Sequence, residues 1–213
     1  MVQLGRPGSL HPATRQSLER ALFTSDTYEL EPPAAYSDEE ADWADQANLE
    51  AELPLSPAEP WSWHGPPTRV TGPAWGGSLE IVDFQLRTSR YLLPDDAYEG
   101  CVLFLETSEE LPPAPYVYRV LMNMGERGLL QRFLAVLWGR PKAWSFEEPN
   151  DAAQKARYTE EQREAVLSAL AEYHPAAPIV FGVDFGHTDP QLVIPSGGDV
   201  TVDAGARRLQ VTY

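Results

Sequence analysis

The sequence predicts an α/β fold built on a mixed sheet, extending over residues 73–213. Three continuous apolar runs, at 101–105, 133–138 and 179–183, are typical of strands that are buried on both faces. The stretches between these runs carry helical periodicity, as expected when strands and helices alternate. Beyond the third run, short strand-like segments separated by glycines, at 191–194, 200–203 and 209–213, predict an antiparallel section that closes the sheet.

Helices are predicted where apolar residues recur every three or four positions. One helix is expected over about 115–125, where Gly125 ends it. Another is expected to begin at residues 159–162, whose Thr-Glu-Glu-Gln pattern is a capping box. The apolar residues that share a face are Val117, Val120, Leu121 and Met124 in the first helix, and Val166, Leu170 and Tyr173 in the second. Residues 79–86 fit the helical and the strand period equally, so both structures stay open there.

The first 35 residues contain one predicted helix and little else. Pro12 is expected to open this helix, and an extended stretch follows at 28–33. The apolar residues expected on its inward face are Leu18, Ala21 and Leu22. Since one short helix cannot enclose a core of its own, we interpret residues 1–35 as the remnant of a larger N-terminal domain.

Residues 36–72 have the composition of a connecting segment. The part from Ser37 onward is strongly acidic, and the later part is dense in proline with Trp61 and Trp63 between the prolines. Such a stretch has few apolar anchors, which predicts a long, partly ordered segment on the surface. The predicted organisation is therefore 1–35, 36–72 and 73–213.

Charge and composition exclude several classes of protein. The chain carries 32 acidic and 16 basic residues, and its formal net charge of −16 repels phosphate backbones and anionic lipid surfaces. No apolar run reaches the roughly 20 residues of a spanning helix, and none near the start has the length of a secretion signal. We therefore expect a cytoplasmic protein without nucleic-acid or membrane partners. The single cysteine, Cys101, lies in an apolar run and is expected to be a buried thiol.

Two polar residues stand where predicted buried strands end. Glu106 follows the first apolar run directly, and His187 lies in the loop after the third run. Functional sites of α/β sheets collect at the carboxyl ends of strands, so the two side chains are candidates for one site. A carboxylate beside an imidazole fixes its tautomer and prepares it to accept a proton from a hydroxyl or a thiol. Glu106 and His187 thus qualify as two members of a catalytic triad.

Each candidate also has a simpler interpretation. Glu106 begins an acidic cluster with Glu109 and Glu110, and such clusters are usually solvated surface. His187 stands between Gly186 and Thr188, where a glycine permits close approach of the backbone to another group. The spacing of histidines and cysteines supports no metal site, although Asp184, His187 and Asp189 have suitable ligand atoms. We expect neither a metal nor a cofactor.

Three strings of this sequence resemble the LD-carboxypeptidase family of serine peptidases. They are Gly-Gly-Ser-Leu-Glu-Ile at 76–81, Leu-Phe-Leu-Glu-Thr-Ser-Glu at 103–109 and Phe-Gly-His-Thr-Asp-Pro at 185–190. Their order and spacing are similar to those of the branch that includes the microcin C self-immunity protein. The likeness extends from the Val2–Gly8 region to Tyr213, which is essentially the whole chain.

The resemblance implies a Ser-Glu-His triad divided between two domains. In the family, an N-terminal domain carries the nucleophilic serine and the oxyanion-hole amides, and a swivelling C-terminal β/α domain supplies the glutamate and the histidine. Matched onto this chain, these are Glu106 and His187, within a C-terminal domain at 73–213. The serine has no counterpart, because in the family it precedes the segment that matches residues 2–8. Residues 1–35 are accordingly expected to be a remnant of the nucleophile domain.

Two serines deserve separate interpretation. Tyr36-Ser37-Asp38 is similar to the string around the family's nucleophile, but it follows Pro-Pro-Ala-Ala instead of a buried strand. We expect Ser37 to be a helix N-cap and not the nucleophile. Ser78 stands where members commonly have asparagine, which puts one contact of that loop in doubt.

The resemblance implies hydrolysis of a peptide or amide bond, with a murein peptide or a peptidyl nucleotide as substrate. Without the serine, the chain alone is expected to be inactive, so a missing N-terminal domain would act in cis or in trans. The alternatives are one half of a split enzyme and a non-catalytic binding or immunity module. Trp43, Trp61 and Trp63 either stack on a nucleobase or pack on their own domain. Family members form dimers, so a homodimer is a further expectation.

Overall fold

The computed structural model describes residues 10–42, 44–49, 51 and 53–213, and it confirms an α/β fold with a mixed sheet. The helices are α1 (Pro12–Phe23), α2 (Leu79–Thr88), α3 (Ala114–Glu126) and α4 (Ala152–Tyr173). The strands are β1 (Thr27–Leu30), β2 (Ala35–Tyr36), β3 (Ser56–Pro57), β4 (Ser62–His64), β5 (Arg69–Ser78), β6 (Val102–Glu106), β7 (Ala135–Gly139), β8 (Ile179–Val183), β9 (Asp199–Asp203) and β10 (Arg208–Thr212).

Most of these strands form one eight-stranded sheet in the order β1-β10-β9-β5-β6-β7-β8-β4. Its centre, β5 to β8, is parallel, and helices α2, α3 and α4 connect these strands in turn. Antiparallel strands extend both edges, with β9, β10 and β1 on one side and β4 on the other. The carboxyl ends of the four parallel strands therefore meet at one edge, where the candidate residues lie.

The two faces of the sheet are covered differently. Helices α2, α3 and α4 pack their apolar residues on one face, against alternate residues of β6 and β7 such as Leu103, Leu105 and Trp138. The opposite face packs on loop residues that include Trp61, Phe185 and Leu192. Because alternate residues of a strand point to opposite faces, Val102 and Leu137 belong to this second core. Burial on both faces explains the continuous apolar runs from which the strands were predicted.

Residues 79–86, which the sequence left open, are helical. Leu79, Val82 and Leu86 are all buried against the helix-covered face of the sheet, at the spacing of one helical stripe. Glu80 lies in the first turn, where a carboxylate interacts favourably with the helix dipole. The predicted helix at 115–125 is also confirmed, as α3.

The predicted start of α4 is wrong. The helix begins at Ala152, and its capping box consists of Asp151 and Gln154, whose side chains each bond the other's backbone amide. The Thr-Glu-Glu-Gln pattern at 159–162 lies about two to three turns inside the helix. A capping box is a local pattern that also occurs within helices, so it does not by itself locate a helix start.

The predicted inward face of α1 is only partly right, since Leu18 and Ala21 are half-buried, and the predicted strand at 191–194 is wrong. The buried residues of α1 are Thr14 and Ser17, while Leu22 is 64% exposed. The hydroxyl oxygen of Thr14 accepts from the backbone amide of Gln191 at 2.8 Å, and that of Ser17 accepts from the amide of Val193 at 2.9 Å. Two amides that a strand partner would use are thus bound to α1 instead.

The segment before residue 73 is integrated into the sheet more than its composition suggests. Strand β1 pairs with β10, and β4 pairs with β8 through the partners Trp63 and Val180. Strand β5 begins at Arg69, so the predicted boundary between 72 and 73 falls within a strand. Trp61 is buried, which means that proline-rich sequence here encloses core residues as well as forming surface.

Candidate active site

Glu106 and His187 form a hydrogen-bonded pair at the carboxyl edge of the parallel strands. The Oε2 atom of Glu106 lies 2.7 Å from Nδ1 of His187. Glu106 is the last residue of β6, whereas the sequence placed it directly after the strand, and it is buried. His187 lies in the loop after β8, and its side chain is 37% exposed. The structure therefore joins two residues 81 positions apart, while their catalytic role stays a prediction.

Two glycines leave the space that the Glu106 side chain occupies. A Cβ atom added at Gly139, the last residue of β7, would lie 2.6 Å from Cβ of Glu106. A Cβ atom added at Gly186 would lie 2.4 Å from Oε2 of Glu106, and Gly186 has a φ of +96°. The close approach that the sequence suggested for Gly186 is therefore to the glutamate of its own chain.

The other nitrogen of the imidazole also contacts a carboxylate. Nε2 of His187 lies 3.2 Å from Oε2 of Glu109, whose side chain is 51% exposed. The sequence placed Glu109 in a solvated acidic cluster and missed this contact. The available signal was its position three residues after Glu106, in the loop that leaves the same strand.

The charges around His187 raise the pKa of its imidazole above the ordinary value. The hydrogen bond that the ring donates to Glu106 is the largest cause, burial opposes it, and the negative charges of Glu106 and Glu109 add to the increase. The ammonium group of Lys142 acts in the opposite direction. Two carboxylates against one cation thus favour the imidazolium form.

A buried ion pair anchors the start of the loop that carries His187. The guanidinium of Arg140, directly after β7, bonds Oδ1 of Asp184 through Nε at 2.6 Å and Oδ2 through Nη2 at 3.3 Å. The indole N–H of Trp61 donates to Oδ2 of Asp184 at 2.7 Å. Trp61 therefore packs on its own domain and is not available to stack on a base. Trp43 lies outside the described residues.

The other end of this loop is held by residues 37–40, which we call the acidic strap. Ser37 and Asp189 exchange backbone hydrogen bonds of 2.7 and 2.8 Å. Asp38 is buried and binds the Nζ atom of Lys155 at 2.7 Å, and its backbone carbonyl accepts from Lys142 at 2.9 Å. The sequence missed both lysines, since nothing in their local sequence distinguishes them from solvated surface cations.

Ser37 is not a helix N-cap, because the residues that follow it, 38–42, are not helical. Its hydroxyl oxygen accepts from the backbone amide of Glu39 at 3.3 Å, which is a local turn of the Ser/Thr type. A buried serine in a bridge between two extended segments differs from the sharp strand-to-helix turn that exposes a nucleophile.

Glu80 connects the two glycines at the end of β5 with the loop that follows Glu106. One carboxylate oxygen accepts from the hydroxyl of Ser78 at 2.9 Å. The other accepts from the amide of Ser108 at 3.0 Å and from its hydroxyl at 2.8 Å. Glu80 is buried, so these bonds fix the path of the chain immediately beyond Glu106.

The residues that the structure describes form no cluster of three or more histidine, cysteine or acidic side chains suited to a metal ion. Asp184, one of the possible ligands named from the sequence, has both carboxylate oxygens bonded to Arg140 and Trp61. Within the same described part of the chain, every helix is too short or too polar to cross a bilayer.

Comparison with known protein families and curated proteins shows what this chain is similar to. Residues 71–202 match the family described as the LD-carboxypeptidase C-terminal domain. A Vibrio cholerae protein provisionally assigned as a carboxypeptidase is 27% identical over 184 residues, which are 85% of this chain and 49% of that protein. The chain thus spans about half the length of the curated relative that it matches.

Solved structures show the same fold. The MccF-like protein of Streptococcus pneumoniae, solved with AMP, superposes with a TM-score of 0.77 at 21% identity, covering 95% of this chain and 58% of that one. The microcin C7 self-immunity protein MccF, solved with aspartyl sulfamoyl adenosine, gives 0.71 at 20% identity, covering 95% and 57%. Since the family match extends over more than half of the sequence, this chain belongs to the LD-carboxypeptidase family, and the matched region is its C-terminal domain.

Proposed function

We propose that this chain supplies the Glu-His part of a serine-type carboxypeptidase that cleaves a peptide or amide bond. His187 is the general base and acid, and Glu106 orients its ring and stabilises the imidazolium. The observation that carries the proposal is the 2.7 Å bond between Glu106 and Nδ1 of His187. It directs Nε2 away from Glu106, where a nucleophilic hydroxyl must bind to lose its proton.

The nucleophile in this proposal lies outside the 213 residues. Ser37, the serine whose surroundings resemble the family's nucleophile, is buried and bonded to the amide of Glu39. Relatives are nearly twice as long as the matched region, so they contain enough further residues for an additional domain. In this proposal such a domain acts in cis or, as a separate chain, in trans. That partner would bring the serine and the amides that stabilise the oxyanion.

The reaction then follows the order of any serine acyl transfer. His187 takes the serine proton as the hydroxyl oxygen attacks the carbonyl carbon, and it returns that proton to the leaving amine. The same imidazole then deprotonates a water molecule, whose oxygen attacks the acyl carbon, and it gives that proton to the serine oxygen as the acyl group leaves. Glu106 remains ionised throughout and accepts the hydrogen bond that Nδ1 of His187 donates.

For the substrate we propose a small acyl compound with a free carboxylate, in a cytoplasmic compartment. Solved relatives carry AMP or aspartyl sulfamoyl adenosine, which supports a peptidyl or aminoacyl nucleotide. A murein peptide is the other candidate, in line with the family's description. The proposal also retains a remnant of the nucleophile domain at 1–35 and a connecting segment after it, with the site-bearing domain beginning at strand β5. It includes a homodimeric assembly.

A reconstituted enzyme tests this function. The part of the Streptococcus pneumoniae relative that precedes its region of similarity is joined to this chain, and release of aspartate from aspartyl sulfamoyl adenosine and of D-alanine from an L,D-linked tetrapeptide is measured. We expect cleavage of one substrate, with Glu106→Gln and His187→Gln each reducing kcat/KM by at least about 10³-fold. Glu110→Gln, an exposed neighbour with the same charge change, is the control and retains activity.

The alternative of a non-catalytic binding module gives a different result. A binding module takes up aspartyl sulfamoyl adenosine in calorimetry, but the joined protein releases no product and Glu106→Gln leaves its affinity unchanged. Activity of the joined protein that is indifferent to both Glu106→Gln and His187→Gln would disprove the proposal.

A further inference from the structure

Both nitrogen atoms of His187 face carboxylates, and the proposed chemistry uses only one of these contacts. The bond between Nδ1 and Glu106 orients the ring. The contact between Nε2 and Glu109, at 3.2 Å, occupies the atom that a nucleophilic hydroxyl must reach. This contact is an ion pair only when the ring is protonated, and the negative charge of Glu109 beside Nε2 favours the imidazolium form. In that form it cannot accept a proton.

We propose that Glu109 is a latch: its carboxylate keeps His187 protonated and covers Nε2 until a hydroxyl group displaces the carboxylate. This inference rests on the proposed function, since it assumes that Nε2 is the working atom. Release requires two events that balance in charge and atoms: the Glu109 carboxylate moves into solvent, and the Nε2 proton passes to water. The neutral ring that remains keeps its proton on Nδ1, which donates to the carboxylate of Glu106, and it presents a lone pair at Nε2.

The different exposure of the two carboxylates separates their roles. Glu106 is buried at the end of a strand and enclosed by Gly139 and Gly186, so it cannot leave the ring. Glu109 is 51% exposed in a loop, and its departure costs little because water replaces the imidazolium as its partner. One carboxylate is therefore fixed and the other is displaceable.

A third charged group that acts on the ring is Lys142, which follows β7. Its side chain is 1% exposed and its ammonium group is bonded to Glu40 at 2.9 Å, so the charge is fixed in place. Lys142 opposes protonation of His187, while Glu106 and Glu109 favour it. Removal of Glu109 alone leaves one carboxylate against one cation, which shifts the balance toward the neutral ring.

Acylation of His187 by diethyl pyrocarbonate measures the latch directly. The reagent reacts with an unprotonated imidazole nitrogen, and peptide mapping separates His187 from the other three histidines of the chain. We expect Glu109→Gln to accelerate modification of His187 at neutral pH by about two- to fivefold, which is the range for loss of a partly exposed ion pair. Glu110→Gln, the matched control, leaves the rate unchanged.

Nitrogen NMR of the His187 side chain provides the second measurement. At the same pH, Glu109→Gln is expected to show a larger fraction of the neutral tautomer, with its proton on Nδ1, than the unsubstituted chain does. Identical rates and identical ring spectra for Glu109→Gln and Glu110→Gln would overturn the latch. A reconstituted enzyme without activity would overturn the proposed function alone, because neither of these measurements involves a substrate.

In the reconstituted enzyme the latch has a further consequence. The acidic limb of the pH profile of kcat/KM moves to lower pH in Glu109→Gln, because less alkaline solution suffices to produce the neutral ring. If the carboxylate of Glu109 had a merely structural role, its removal would change activity equally at all pH values. That outcome would contradict the latch.

Discussion

Gly186 lies directly against the carboxylate of Glu106, so that a Cβ atom at position 186 would be 2.4 Å from Oε2. The backbone at Gly186 has a φ of +96°, a conformation that other residues adopt only under strain. The same peptide segment carries His187. Close packing and unusual backbone geometry together hold the imidazole at hydrogen-bonding distance from the glutamate.

Gly186→Ala is therefore expected to separate Glu106 from His187. The backbone strain is about 1–2 kcal/mol, and displacement of the buried carboxylate adds to it. Urea denaturation measures the loss of stability, and the Nδ1 proton signal of His187 reports loss of the bond to Glu106.

Gly128→Ala is the matched control for this substitution. Gly128 has a φ of +69°, and an added Cβ would meet no atom within 4 Å. The free energy of unfolding of Gly128→Ala should fall only by the cost of the backbone strain, and the Nδ1 proton signal of His187 should be kept. Equal destabilisation in the two variants, with the signal intact in both, would show that the contact with Glu106 is unimportant.

The stability of the fold is expected to depend on pH through His187. Its pKa is raised in the folded state above the ordinary 6.5, chiefly by the hydrogen bond to Glu106. The folded state thus binds the proton more tightly than the unfolded state does, and the resulting stabilisation is fully present below about pH 6.5. It is lost as the pH rises through the folded-state pKa.

Comparison of the unsubstituted chain with His187→Gln isolates this contribution. We expect the difference in the free energy of unfolding to be largest near pH 6 and to shrink steadily toward alkaline pH. A difference that stays constant over this range would mean that the pKa of His187 is the same in the folded and the unfolded chain.

The N-terminus of α4 allows a direct test of which capping box is used. Asp151→Ala removes the side chain that accepts from the amide of Gln154 at 2.9 Å, and should cost about 1 kcal/mol. Thr159→Ala, in the helix interior, should change stability by less than about 0.5 kcal/mol because alanine favours helices. Thermal unfolding measures both, and the reverse order of effects would contradict the observed helix start.

The sequence predicted best what depends on burial and on strand order. Three of the four parallel strands, β6, β7 and β8, were recognised because both of their faces are covered, which makes their sequence continuously apolar. Strand β5 was not predicted, since most of its residues are only half-buried or exposed. Glu106 and His187 were recognised as candidates because strand ends converge at one edge of such a sheet. Their hydrogen bond agrees with that interpretation, whereas their chemical role awaits the experiments above.

What the sequence did not predict depends on contacts between distant segments. Thr14 and Ser17 are buried because they bind backbone amides near residue 192, and no helical periodicity reports such a partner. Glu109 was interpreted as solvated surface, since the imidazole that it contacts is 78 positions away (187 − 109 = 78). The burial of a polar residue by a distant partner therefore cannot be predicted from the local sequence pattern.

The ion pair between Arg140 and Asp184 provides the strictest test of how the His187 loop is held. Asp184 is completely buried and Arg140 is 9% exposed, so loss of either partner leaves an uncompensated charge in the core. Arg140→Met is expected to cost about 3–5 kcal/mol, and the indole N–H of Trp61 should change its environment because it shares Asp184. The double variant Arg140→Met/Asp184→Leu should recover much of this loss, because it buries no charge.

Arg157→Gln is the control for Arg140→Met, since Arg157 forms an exposed pair with Glu161 on α4 at 3.7 Å. Its loss should change the free energy of unfolding by less than about 1 kcal/mol. Urea denaturation of the four proteins, with Trp61 followed by NMR, separates burial from charge. If Arg140→Met is no more destabilising than Arg157→Gln, the buried pair does not anchor the loop. The position of His187 beside Glu106 then depends on other contacts of the loop, such as those of Gly186 and the acidic strap.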